Sequence, residues 1–354
     1  MSARARIKKP ILVTGGCGFI GCNIADALAT RGDPVLILDN LSRPGANENA
    51  HWLKMRHGDR IEIRTGDIRD AEAVTSVASK SSAVLHLAAQ VAVTTSLDSP
   101  LDDFETNARG TINVLESLRR HNADAPVIFA STNKVYGRLL SEDEVVRSGT
   151  RYAPTNPQLA TGVRESTPLD FYSPYGCSKG CADQYVNDYG RVFGLRSAVL
   201  RMSCVFGQRQ FGTEDQGWIA HFIIHAINNE PITIYGDGMQ VRDALYVSDA
   251  VAAWLLALDQ IDRVRGSFFN LGGGPENALS LLELLDIIAE MRGHRPLLRF
   301  ADWRPGDQPW YVSSTAALAA ATDWAPRVSL RDGLHLLHAW LEQRFAPGRR
   351  EASL

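Results

Sequence analysis

Ile11-Leu12-Val13-Thr14-Gly15-Gly16-Cys17-Gly18-Phe19-Ile20-Gly21 decides how the chain is read. A short apolar, β-branched run enters a glycine-rich turn. Ile24, Ala27 and Leu28 then recur at helical spacing until Arg31-Gly32 stops the pattern. Pro34-Val35-Leu36-Ile37-Leu38-Asp39 is a second buried-strand pattern that ends in an acid. Strand, glycine turn, helix, strand and terminal carboxylate predict a dinucleotide-binding βαβ unit. Gly15, Gly18 and Gly21 permit a tight turn, let backbone N–H groups approach a pyrophosphate and let helix and strand pack closely. Asp39 stands where a carboxylate accepts hydrogen bonds from adenosine ribose hydroxyls, which favours NAD over NADP. Arg43 pulls the other way, because a nearby Arg can accommodate a 2′-phosphate.

The alternation continues past Asp39. Ile61-Glu62-Ile63 leads to Asp67 and Ile68, at a strand edge where they could meet an adenine. Ala83 to Gln90 is a buried strand whose small terminal residues, Ala88 and Ala89, leave room for phosphates and ribose. His86 inside this run reads as a satisfied core histidine rather than a catalytic one. A helix from about Leu101 to His121 is interrupted by Asn107, which could reach a strand end or a cofactor-bound water. Pro126 to Thr132 is the next strand, and Thr132 sets a hydroxyl at its C-terminal end, where doubly wound sheets hold ligands. Arg138 to Asp170 is a polar insertion expected to act as a lid or interface segment, or else to be mobile. Arg196 to Val205 reads as another strand, and Ile232 to Tyr235 as a strand turning at Gly236-Asp237-Gly238 into a hairpin.

The fold expected is α/β, a doubly wound parallel sheet of Rossmann type with a smaller discontinuous α/β substrate lobe. Residues 8–204, rejoined by 239–269, would form the NAD-binding domain, and 205–238 with 270–345 the substrate-binding lobe. Residues 1–7 and 346–354 would be flexible termini.

Apolar residues make up 45% of the 354 residues and charged residues 22%, an ordinary composition for a soluble globular protein with a large core. The net charge of -3 offers no basic field for nucleic acid. Met1 to Pro10 lacks the apolar run of a signal peptide, and no run of about 18 apolar residues suggests a membrane span. Cys17, Cys22, Cys177, Cys181 and Cys204 include no C-x-x-C pair. They read as small buried thiols in a reducing cytoplasm, with no metal site.

Phe171-Tyr172-Ser173-Pro174-Tyr175-Gly176-Cys177-Ser178-Lys179 carries the candidate chemistry. On a helix Tyr175 and Lys179 share one face, one turn apart. A lysine ammonium near a phenol stabilises the phenolate, so the Tyr pKa should fall from about 10 and make it an acid/base. Such a pair also arises by chance on many solvated helix faces.

The glycine loop Thr14–Gly21, Ser131-Thr132 and the Tyr175–Lys179 pair together resemble the extended short-chain dehydrogenase/reductase family. Val241-Arg242-Asp243 and Arg304 with Asp307 carry the resemblance into the C-terminal part. It implies an enzyme acting on a nucleotide sugar, with Thr132, Tyr175 and Lys179 catalytic. NAD would be held by Gly15, Gly18, Phe19, Ile20, Gly21, Asp39, Asn40, Ser42, Arg43, Asp67, Ile68, Leu87, Ala88, Ala89, Gln90, Asn107, Ser131 and Met202, with Tyr175 and Lys179 reaching it too. Val93, Thr94, Thr132, Asn133, Cys204, Arg209, Gln216, Gly217, Trp218, Tyr235, Arg242, Arg304 and Asp307 would hold the substrate. Arg242 and Arg304 are the candidates for its diphosphate, Arg209 is a weaker third, and Tyr235 would pack on the base.

The family's 4,6-dehydratases carry an Asp-Glu pair directly after the catalytic Thr. Asn133 and Lys134 stand there in this chain, and neither can serve as an elimination acid or base. Ser131–Gly137, Gln90–Ser96, Ser173–Gly180, Arg209–Phe211 and Asp215–Trp218 instead resemble the branch of CDP-sugar 2-epimerases. Cys204 and Met202 stand where the hexose 4-epimerases usually carry Asn and Tyr. The resemblance thus implies inversion at C2 of a CDP-sugar through a transient 2-keto sugar, with hydride taken and returned by tightly bound NAD. A UDP- or GDP-hexose 4-epimerase is the alternative, followed by a catalytically silent NAD-binding sensor, which would tend to lack the Tyr or the Lys. A homodimer or homotetramer is implied too, paired through the helices at 101–121 and 175–193.

Overall fold

The computed structural model describes residues 8–345, so the expected flexible termini, 1–7 and 346–354, lie outside the described residues. Its largest element is a seven-stranded sheet in which every pairing is parallel. From Ile11–Thr14 the sheet extends one way through Val35–Asp39 to Ile61–Thr65. It extends the other way through Ala83–His86, Val127–Thr132 and Ser197–Met202 to Ser267–Leu271. Ile11–Thr14, Val35–Asp39, Ala83–His86 and Val127–Thr132 are buried at every residue. That is why their sequences are continuous apolar runs rather than alternating ones.

Helices cover both faces. Ile24 and Leu28 of Phe19–Thr30 share one core with Trp254 of Val247–Asp259. Val74, Val114, Leu118 and Val186, from helices Ala71–Ala78, Gly110–His121 and Pro174–Phe193, form the core on the other face. Strand order reverses beside Ile11–Thr14, which opens a crevice at the carboxyl ends of the strands.

Three local expectations are corrected. Arg196 to Val205 is not one strand: Ser197–Met202 lies in the large sheet, whereas Cys204–Phe206 pairs in parallel with Val241–Tyr246 in a small one. Ser203 makes the break, donating its hydroxyl to the Asp243 carbonyl at 3.1 Å and so tying the two sheets together. Ile232–Tyr235 forms no hairpin; it pairs in parallel with Leu298–Ala301. The Gly236 turn, at φ +78°, passes too close to the Trp303 ring for a side chain. Third, of the five cysteines, all free, only Cys17 and Cys22 are buried; Cys181 and Cys204 are half-buried and Cys177 is exposed.

The segment 138–170 folds onto the small sheet. Val145–Ser148 and Arg151–Pro154 form a hairpin, the Tyr152 N–H donates to the Met239 carbonyl at 2.9 Å, and Arg151 Nε donates to Glu283 at 2.6 Å. Val241–Tyr246 belongs to the small sheet, and the chain regains the large one through Val247–Asp259 and Ser267–Leu271. Among the described residues no helix is long and apolar enough to cross a membrane, and no cluster of His, Cys, Asp or Glu could hold a metal ion.

Candidate active site

A cavity of about 790 Å³ runs from the glycine loop, past the C-terminal ends of the central strands, to the small sheet. Every residue named above for cofactor or substrate lines it except Asn107. Asn107 is buried in a π-helical segment, Glu105–Arg109, inside the expected helix. Its side chain accepts from the Gln90 N–H at 2.9 Å and donates to the Gln90 carbonyl at 3.0 Å. It therefore fixes the loop that forms the cavity wall, and its own side chain does not line the cavity.

At the glycine-loop end, helix Phe19–Thr30 starts at Gly18 with no side-chain cap and no acid in its first turn. Its first N–H groups and its positive dipole end suit an anion. Gly15 has φ +68°, and a Cβ there would sit 2.7 Å from the Ala88 nitrogen. A Cβ on Gly21 would collide with the Gly15 carbonyl. Asp39 accepts from the Cys17 N–H at 2.9 Å and the Leu41 N–H at 2.8 Å. Burial nonetheless pushes its pKa up. A carboxylate has about four acceptor positions, so capacity remains for ribose hydroxyls. Arg43 reaches across to donate to Gln216 at 2.5 Å, which joins this wall to the opposite one.

At the centre, Ser173 caps helix Pro174–Phe193 by accepting from the Gly176 N–H at 3.0 Å, and Pro174 occupies the first turn. These caps bring Tyr175 and Lys179 to the end of Val127–Thr132. Both are buried. Their titration departs from the sequence expectation. Burial pushes the Tyr175 phenol up to about 12, although a Thr132 hydrogen bond and the Arg43 charge oppose it. Burial pushes Lys179 down to about 7 against the pull of Asp183 and Asp103. Its ammonium lies 4.1 Å from the centre of the Phe129 ring. Desolvation of the charged form thus dominates for both residues in the chain by itself. His86 is the core histidine expected: it bonds Thr14 at 2.7 Å and Thr111 at 3.0 Å, and burial pushes it down to about 3.

Several residues beneath and beside this centre were missed in the sequence. Asp183 lies one further turn along the helix and pairs with Arg201 through two contacts of 2.9 Å; the two side chains are 0% and 2% exposed. Ser131 donates to the same carboxylate at 2.6 Å. The spacing Tyr175, Lys179, Asp183, with a lone Arg in the apolar strand Ser197–Met202, was the available signal. Lys134 is another: it follows Thr132, its backbone N–H donates to the Thr132 hydroxyl at 3.2 Å, and its side chain lines the cavity. Burial and the Arg242 charge push its amine down to about 8.

At the far end, Arg242 donates to Asp307 at 2.6 Å. The Arg304 guanidinium lies 3.9 Å from the centre of the Tyr235 ring and pairs with Glu214 at 3.4 Å and Asp215 at 3.5 Å. Arg209 stacks on Trp52 at 4.0 Å and reaches Trp340 at 5.9 Å. Of the three arginines named for the diphosphate, Arg209 and Arg304 are therefore held by neighbouring rings or carboxylates, whereas Arg242 shares its one carboxylate with Lys134.

The chain matches the NAD dependent epimerase/dehydratase family over residues 11–272. It is 43% identical to the CDP-paratose 2-epimerase of Salmonella typhi over 337 residues, covering 93% of this chain and 98% of that one. Among solved structures it resembles the UDP-glucose 4-epimerase of Thermus thermophilus in complex with NAD, at 32% identity and a TM-score of 0.79, covering 95% and 99% of the two chains. The UDP-glucose 4-epimerase of Thermotoga maritima with UDP-glucose matches at 30% identity and a TM-score of 0.81, covering 94% and 99%.

Proposed function

The chain belongs to the NAD dependent epimerase/dehydratase family, and on that premise we propose that it is an isomerase that inverts C2 of CDP-paratose to give CDP-tyvelose. The observation that carries this reading is its 43% identity, over nearly the whole of both chains, to a protein with that activity. The cavity supports it: Thr132 and Tyr175 meet there beside Asn133 and Lys134, where dehydration would require carboxylic groups.

NAD fits the site on two observations, the uncapped N-terminus of Phe19–Thr30 facing the cavity and the spare acceptor capacity of Asp39. Gly15, Gly18 and Gly21 would hold its pyrophosphate and Asp39 its adenosine ribose. Bound NAD⁺ would supply the acceptor and later donor of the C2 hydride, and a positive charge favouring ionised Tyr175. Tyr175 takes the proton from the C2 hydroxyl and returns it after the 2-keto sugar has turned over. Thr132 holds that hydroxyl by a hydrogen bond, and Lys179 stabilises the Tyr175 phenolate. The long cavity anchors the nucleotide at its far end while the hexose turns.

In deuterated solvent the protein should convert CDP-paratose to CDP-tyvelose with no deuterium at C2, read by NMR. Deuterium at C2 would show proton exchange instead of hydride return, and inversion at C4 would replace this reading with a 4-epimerase.

The protein is further proposed to assemble as a homodimer or homotetramer. Leu101, Phe104, Val192 and Phe193 are exposed at 72%, 49%, 62% and 48% on Pro100–Phe104 and Pro174–Phe193, large apolar surfaces that a second copy would cover. Light scattering at micromolar concentration should give twice or four times the chain mass; a monomer would overturn the assignment.

A further inference from the structure

Lys134, Arg242 and Asp307 form a charge cluster on the cavity wall. Asp307 Oδ1 accepts from Arg242 at 2.6 Å and lies 4.0 Å from Lys134 Nζ. The other polar contacts of Lys134 Nζ are long, 3.4 Å to the Gly306 carbonyl and 3.5 Å to Gln308. The Lys134 side chain is 20% exposed and that of Arg242 only 8%, so neither cation is fully solvated. Two cations share one carboxylate, and Cys204, the remaining titratable neighbour, has its thiol held neutral because burial raises its pKa. One positive charge is therefore uncompensated in a poorly hydrated wall, an arrangement that favours an anionic ligand.

Position narrows which anion. Lys134 follows Thr132 by two residues, on the turn Asn133–Tyr136 that Thr132 caps, and its side chain reaches out to Asp307, so it spans from the reaction centre toward the Arg242 end. In a nucleotide sugar, C2 is separated from the nearest phosphorus by one carbon and one oxygen. C4 lies across the ring from it. A phosphate-binding cation next to Thr132 therefore suits a substrate whose reacting carbon is C2.

We propose that Lys134, together with Arg242, binds the sugar-side phosphate of the substrate and so sets C2 against Tyr175. This rests on the reading of the ligand as a nucleoside diphosphate sugar. Arg304 differs from this pair in being engaged by Tyr235, Glu214 and Asp215.

Titration calorimetry of the NAD-loaded protein with CDP, CMP, UDP and UMP tests it, because each diphosphate adds only the group in question. The wild-type protein should prefer each diphosphate to its monophosphate. Lys134→Met should weaken diphosphate binding by about 10-fold or more, the value of a charge-assisted hydrogen bond, and leave the monophosphates unchanged. Lys134→Arg should restore most of the preference. Retained monophosphate binding shows that the variant is folded. Equal weakening of mono- and diphosphates, or unchanged diphosphate binding, would overturn the assignment. Failure of the wild type to turn over CDP-paratose would remove the 2-epimerase reading, while the nucleotide comparison would still decide the role of Lys134.

Discussion

Tyr175→Phe is expected to lower the epimerisation rate by about 10²–10⁴-fold, the usual loss when a positioned acid/base is removed. The substitution deletes one hydroxyl from a side chain whose backbone N–H is anchored to Ser96 at 3.1 Å and whose ring is buried, so the helix and the cavity should persist. NAD content after purification should therefore match the wild type. Turnover of CDP-paratose at saturating substrate, measured with the absorbance of bound cofactor, separates the two effects. Near-normal turnover would take Tyr175 out of the proton transfer. Lost cofactor would show that the ring shapes the site instead. The pKa directions add a second readout. The chain alone leaves the phenol protonated, because burial pushes it up to about 12. Tyr175 should thus become an effective base only with NAD⁺ bound, and a phenolate absorbance should appear at lower pH in loaded than in NAD-free protein.

The second large effect concerns stability. Asp183→Asn should cost roughly 3–5 kcal/mol in urea unfolding, because it leaves the Arg201 guanidinium buried without its countercharge. Arg201 is 2% exposed, and its other neighbours, the Tyr136 hydroxyl at 3.1 Å and the Phe268 ring at 4.3 Å, carry no negative charge. Replacing both partners, as Asp183→Leu with Arg201→Met, should recover much of the loss, since apolar side chains do not need pairing. A single variant as stable as the wild type would show that water reaches the pair. Activity should fall as well. Lys179 is already pushed down to about 7 by burial, and Asp183 is one of the two carboxylates opposing that shift. Without it the ammonium deprotonates at lower pH, so the alkaline limb of the rate profile should move to lower pH.

Much of this was open to reading in local sequence. Ile11 to Asp39 announces a strand, a turn that only glycines permit, a helix and an acid, because each depends on neighbours within a few residues. The spacing of Tyr175 and Lys179 places them on one helical face in the same way. Their protonation was not legible. The expected lowering of the phenol assumed a pair in contact with water, and the cost of burying both charges is set by residues far away in the chain. Asn107 was legible only in part: a polar residue in a helix announces a partner, a strand end or a cofactor-bound water, without deciding between them. Only the π segment and the approach of Gln90 show that the partner is a wall of the cavity.

What the sequence by itself determined is the large parallel sheet, the cofactor-loop chemistry and a large share of the residues that line the cavity. These follow from short-range periodicity and from stretches matched to a family. Only the tertiary structure decided where Arg196–Val205 breaks between two sheets, which carboxylates support Lys179, and which of four cations keeps charge to offer a substrate. Arg209, Arg242, Arg304 and Lys134 look alike as letters. Stacking on Trp52 and Tyr235, and the single carboxylate of Asp307 shared by two of them, distinguish them. Electrostatic free energy depends on burial and on distances across the fold, and neither is encoded within a window of sequence.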